Sequence, residues 1–100
     1  MSLPDPDSFD ANDDLLESVH AFPGPYQIKV IGIASDDFVD RVVAAVGAHL
    51  ATLDDLEHRV RTTPGGRHLA VTLDLQLQSS SQVRAIYAGL RKVDGLAMLL

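Results

Sequence analysis

The chain predicts an α+β sandwich, in which one four-stranded antiparallel sheet carries two helices on a single face. Three observations lead there. Residues 38–50 and 83–93 repeat apolar side chains at helical spacing. Residues 26–34, 56–62, 69–77 and 96–100 read as strands, most of them alternating apolar and polar residues. These stretches follow one another as strand, helix, strand, strand, helix, strand within a chain of 100 residues, the size of one domain.

The first strand, residues 26–34, points Ile28 and Val30 to one side and Lys29, Ile31 and Ile33 to the other. Gly32 near its end predicts a tight exit or a close backbone approach. Ser35-Asp36-Asp37 then reads as a helix start, with Ser35 as the cap and two acids at the positive end of the helix dipole. Phe38, Val39, Val42, Val43, Val46 and Leu50 form the apolar stripe of that helix. In the second strand Leu56, His58 and Val60 face inward, while Glu57, Arg59 and Arg61 face out. Thr63-Pro64-Gly65-Gly66 is a hairpin connection. It pairs Thr62 with Arg67, Val60 with Leu69 and His58 with Val71, which puts the apolar sets of both strands on one side. Leu69, Val71, Leu73, Leu75 and Leu77 are the longest clean alternation in the chain. Ser79 and Gln82 form a capping box, and Val83, Ile86, Tyr87, Leu90 and Val93 make the second helical stripe. Gly95 stops that helix, and Leu96, Met98 and Leu100 supply the inner side of the last strand.

Right-handed crossovers place both helices on the same face, the ferredoxin-like βαββαβ arrangement. The other face of the sheet stays open. It is expected to carry Lys29, Ile31, Arg59, Arg61, His68, Ala70, Thr72, Asp74, Ala97 and Leu99.

Charge divides the chain in two. Asp5, Asp7, Asp10, Asp13, Asp14 and Glu17 stand in the first twenty residues without a single Lys or Arg. From Ala21 onward eight acidic and eight basic residues cancel, so the net charge of −6 belongs to the N-terminal segment. Residues 1–21 read as an acidic, largely disordered tail and residues 22–100 as the folded domain. A polyanion binder shows the opposite distribution, and RNA recognition on this fold needs aromatic side chains on the open face, where none is expected. The expectation is therefore no nucleic-acid partner. No stretch reaches the ~20 apolar residues of a membrane span, and the N-terminus lacks the basic and apolar regions of a secretory leader. A chain without cysteine has no disulfide framework. The expected location is the cytoplasm, with no membrane partner.

Phe22-Pro23, Tyr26 and Lys29-Val30-Ile31-Gly32 running into a helix form a recognisable series. It continues with Gly66, Val71, Gln82-Val83, Tyr87 and Leu90, and ends with Val93-Asp94 and Met98-Leu99-Leu100. In their order and spacing these residues resemble the YbeD-like family of small bacterial proteins of unknown function. The resemblance covers residues 22–100. It implies a ferredoxin-like fold similar to the ACT domains that regulate metabolic enzymes by binding amino acids, and it implies no reaction. The chain departs from the family in its longer acidic tail and in Gly95 and Ala97.

No constellation for catalysis is apparent. His20, His49, His58 and His68 are dispersed, where zinc needs three or four converging ligands. Ser79-Ser80-Ser81 has no partnered base, and Pro64-Gly65-Gly66 lacks the lysine and following helix of a phosphate loop. The chain is expected to be no enzyme and to need no cofactor. Two functional readings are left. One is a regulatory or protein-interaction module on the open face, using Lys29, Ile31, Arg59, Arg61, Ala70 and Leu99, with a protein partner or a weak homodimer. The other is a small-metabolite or amino-acid sensor at the turn of Gly32, Ala34, Ser35 and Asp36, where helix-start N–H groups could hold a carboxylate.

Overall fold

The computed structural model describes residues 21–35 and 37–100. Strand β1 (Gly24–Ile33) leads into helix α1 (Phe38–Gly47) and a short 3₁₀ turn (Leu53–Asp55). The hairpin β2 (Leu56–Thr62) and β3 (His68–Leu77) follows, then helix α2 (Ser80–Leu90) and strand β4 (Leu96–Leu99). The sheet order is β2-β3-β1-β4, and every pairing is antiparallel. This is the expected ferredoxin-like arrangement. Residues 1–20 of the expected 1–21 acidic tail lie outside the described residues, and β1 begins at Gly24, two residues before the expected start.

The core forms where periodicities of two and of 3.6 meet. Ile28 and Val30 of β1 and Val71, Leu73, Leu75 and Leu77 of β3 are buried on one side of the sheet. Phe38, Val42 and Val46 of α1 meet them, with Val83, Ile86 and Leu90 of α2. Spacings of three and four residues put each helical set on one stripe. Helix α2 begins as expected, with the Ser79 hydroxyl accepting from the Gln82 N–H at 3.3 Å. The Gln82 side chain accepts from the Gln78 N–H and donates to the His49 carbonyl, which ties the start of α2 to the chain leaving α1.

Three sequence expectations need correction. Ser35 does not cap α1: the N-cap is Asp37, and the Ser35 hydroxyl hydrogen-bonds the Asp37 carboxylate instead. The Arg41 guanidinium, one turn on, pairs with Asp37 at 2.7 Å and is the main cause holding its carboxyl below the ordinary value. The hairpin register is displaced by two residues, with Thr62 opposite Leu69, Val60 opposite Val71 and His58 opposite Leu73. Thr63 also bonds His68, so the loop turns through Pro64 and two glycines at positive φ, Gly65 and Gly66. An even displacement preserves which side chains face which way.

The third correction concerns β4. Gly32 pairs with Leu96, but Ile31 pairs with Met98 and Val30 with Leu99, so Ala97 is an extra residue in a β-bulge. The bulge reverses the alternation beyond it. Leu96 and Leu99 both pack against the core, while Met98 lies opposite Ile31 on the open side. Leu99 is therefore not part of the open face.

The helices leave β2 uncovered. Leu56 is only half-buried, and His58 and Val60 are exposed although they stand on the helix side of the sheet.

Candidate functional site

Alternation that buries one face of β1 and β3 turns Lys29, Ile31, Ala70, Thr72 and Asp74 to the other. The hairpin register aligns β2 with them. Lys29, Thr72 and Arg59 form one row across three strands, and Ile31, Ala70 and Arg61 form the next. The central strand contributes only small residues to these rows. The long side chains of β1 and β2 thus stand as walls on either side of a shallow floor. Two strand spacings, ~9.5–10 Å, separate the backbones beneath Lys29 and Arg59. The result is a trough of about 460 Å³ bordered by Lys29, Ile31, Arg59, Arg61, Ala70 and Leu100, among others. Leu100 reaches it because its N–H and carbonyl both bond Lys29 across the β1–β4 edge, at 2.8 and 3.1 Å.

The cations differ in their partners. Arg59 donates to Asp74 at 3.2 Å, and Gln27 donates to the other Asp74 oxygen at 2.9 Å. Among the described residues no carboxylate lies within ion-pair distance of Lys29 or Arg61. Toward the start of β1 the same face turns acidic. There a second trough of about 380 Å³ is bordered by Asp54, Asp55, Glu57 and Asp74. Exposed Ile33 and Met98 extend the apolar surface beside the basic end.

The structure thus brings together five of the six residues proposed for an interface: Lys29, Ile31, Arg59, Arg61 and Ala70. It turns Leu99 to the helix side, where it is partly buried against the core, and adds Thr72 and Leu100. Thr72 was legible from its parity on β3. Leu100 was hidden behind the bulge.

The turn after β1 is differently built. The Ala34 N–H donates to the Arg67 carbonyl at 3.0 Å, Ser35 N–H to Ile33 at 2.9 Å, and Phe38 N–H to Ser35 at 3.2 Å. Those donors are already engaged within the protein. Gly32 is buried beneath the Phe38 ring, which occupies the space a Cβ would need. Asp36, the fourth residue of that group, lies outside the described residues.

No group of three metal-ligating side chains occurs among the described residues. His58 and His68 point to opposite faces, as the sequence implied. Burial, with the Tyr26 hydroxyl beside it, pushes the Tyr87 phenol above its ordinary range, so it is protonated at neutral pH.

A family model described as "Protein of unknown function (DUF493)" matches residues 17–100. The chain belongs to the DUF493 family. A UPF0250 protein of Shewanella woodyi is 32% identical to it over 88 residues, 88% of this chain and 93% of the relative. Among solved structures, protein HP0495 from H. pylori superposes with a TM-score of 0.68 at 11% identity, covering 81% of this chain and 85% of that one. The ACT domain from GTP pyrophosphokinase of Chlorobium tepidum gives a TM-score of 0.57 at 13% identity, covering 76% of this chain and 94% of that one. At such identities the likeness is one of fold. The ACT-like ferredoxin fold and membership of a bacterial family of unknown function agree with the resemblance seen in the sequence. No helix among the described residues is long and apolar enough to cross a membrane.

Proposed function

We propose that this DUF493 protein is a non-catalytic interaction module whose open sheet face binds another protein. The supporting observation is the basic trough: Lys29 and Arg61 stand without a carboxylate partner among the described residues, above a floor of Ala70 and Thr72 and beside Ile31 and Leu100. A segment carrying carboxylates next to apolar side chains suits it. Arginine pairs with carboxylates through its planar fork while its stem packs against apolar groups. Interfaces combine these two features. The module would act in the cytoplasm.

Site-specific photo-cross-linking in the native cell tests the proposal. A photoreactive residue replacing Ala70 is expected to trap a discrete protein adduct, and one replacing exposed Ala88 of α2 is not. Adducts from position 88 alone, or none from position 70, would overturn it.

A further inference from the structure

Charge is separated along the open face. Asp54, Asp55, Glu57 and Asp74 border the end where β1 begins, and Lys29, Arg59 and Arg61 border the trough further along. From Ala21 onward acids and bases cancel, so the chain's uncompensated carboxylates are Asp5, Asp7, Asp10, Asp13, Asp14 and Glu17. Phe9, Leu15 and Leu16 are interspersed among them. That is the chemistry the trough suits, carboxylates beside apolar groups, and it lies in the same polypeptide. The family match begins at residue 17, so five of the six acids precede it.

We propose that the acidic segment, residues 5–17, docks in the basic trough of its own chain. This rests on the open face being the working surface. Chain length allows it. From Gly24 to Lys29 the strand advances five residues, ~17 Å. Asp13 and Asp14 precede Gly24 by eleven and ten residues, which span up to ~33–40 Å when extended. The excess covers the detour that Phe22 imposes by packing against the core before the chain enters β1. Electrostatics selects the position, because the four acids at the near end of the face repel the segment and the three cations beyond attract it. Weak contacts suffice, since a short tether holds its segment at about millimolar effective concentration.

The absence of cysteine makes the test direct. Asn12→Cys in the full chain gives a single attachment point for a nitroxide and leaves every charge in place. In the isotope-labelled protein the amide signals of Arg59, Arg61 and Ala70 should lose most of their intensity, while that of Ala88 on α2 is retained. The loss should disappear in ~1 M salt, where the screening length is ~3 Å. It should also disappear when Arg59→Glu and Arg61→Glu are combined. Intact signals at those three positions, or losses unchanged by salt or by the double reversal, would overturn the docking. Intact signals alongside a persistent cross-link from position 70 would refute the docking and leave the interaction surface standing. Lost signals without any cross-link would refute the partner and leave the docking.

Discussion

The two faces of the sheet are built from the same strands and differ in what a substitution can do to them. On β3, Val71, Leu73, Leu75 and Leu77 point to the helices and are buried. Their neighbours Ala70, Thr72 and Asp74 point away and remain partly solvated. The first set is constrained by close packing, in which a lost methylene leaves a void. The second set is constrained by parity and, at Asp74, by exposed polar contacts with Arg59 and Gln27, but not by close packing. The contrast teaches that stability resides on the helix side of one strand, and that the proposed recognition uses the side that packing leaves free.

The largest test of that contrast is Leu73→Ala, which should cost ~2–5 kcal/mol through lost burial and a residual cavity. Chemical denaturation of the purified variant measures it, and a loss below ~1 kcal/mol would place Leu73 outside the core. Next comes Gly32→Ala. Its Cβ would run into the Phe38 ring, so the ring must shift within a packed core, at ~1–3 kcal/mol. An unchanged midpoint would show that Phe38 has room to move. Thr72→Ala, adjacent to Leu73 but on the open face, should cost less than ~1 kcal/mol. Equal losses at 72 and 73 would erase the distinction between the faces.

The smallest effect is electrostatic. The Asp37 carboxyl is lowered from 3.8, chiefly by its hydrogen bond and ion pair with Arg41. A depressed carboxyl contributes stability above its unfolded value of 3.8, and the contribution is lost as pH falls through the lower folded value. Asp37→Asn should therefore be slightly less stable than the parent at neutral pH, and the gap should close as pH drops below 3.8. Melting curves across pH check it, and a gap that widened in acid would contradict the assignment. The effect is small because the pair is solvated.

Much of the fold was legible because burial imposes a period. Val71 to Leu77 announced a strand covered on one side, and Phe38, Val42 and Val46 announced a helix despite their β-branched majority. The basic trough was legible for the same reason, since Lys29, Arg59, Arg61 and Ala70 follow from parity alone. What escaped depends on contacts between elements. The bulge at Ala97 follows from how β4 meets β1 at Gly32, and it moved Leu99 inward and Leu100 outward. The hairpin displacement follows from the left-handed backbone of Gly65 and Gly66. The exposure of His58 and Val60 depends on how far the helices reach across the sheet, which no pattern within β2 encodes.

The claim that the open face works while the inner face holds is tested most directly by combining Arg59→Glu with Arg61→Glu and reading two quantities from one preparation. Both side chains are exposed, so the melting temperature should stay near that of the parent. The protein adduct trapped from position 70 should be lost. A variant that melts normally and still traps the same adduct would contradict the account.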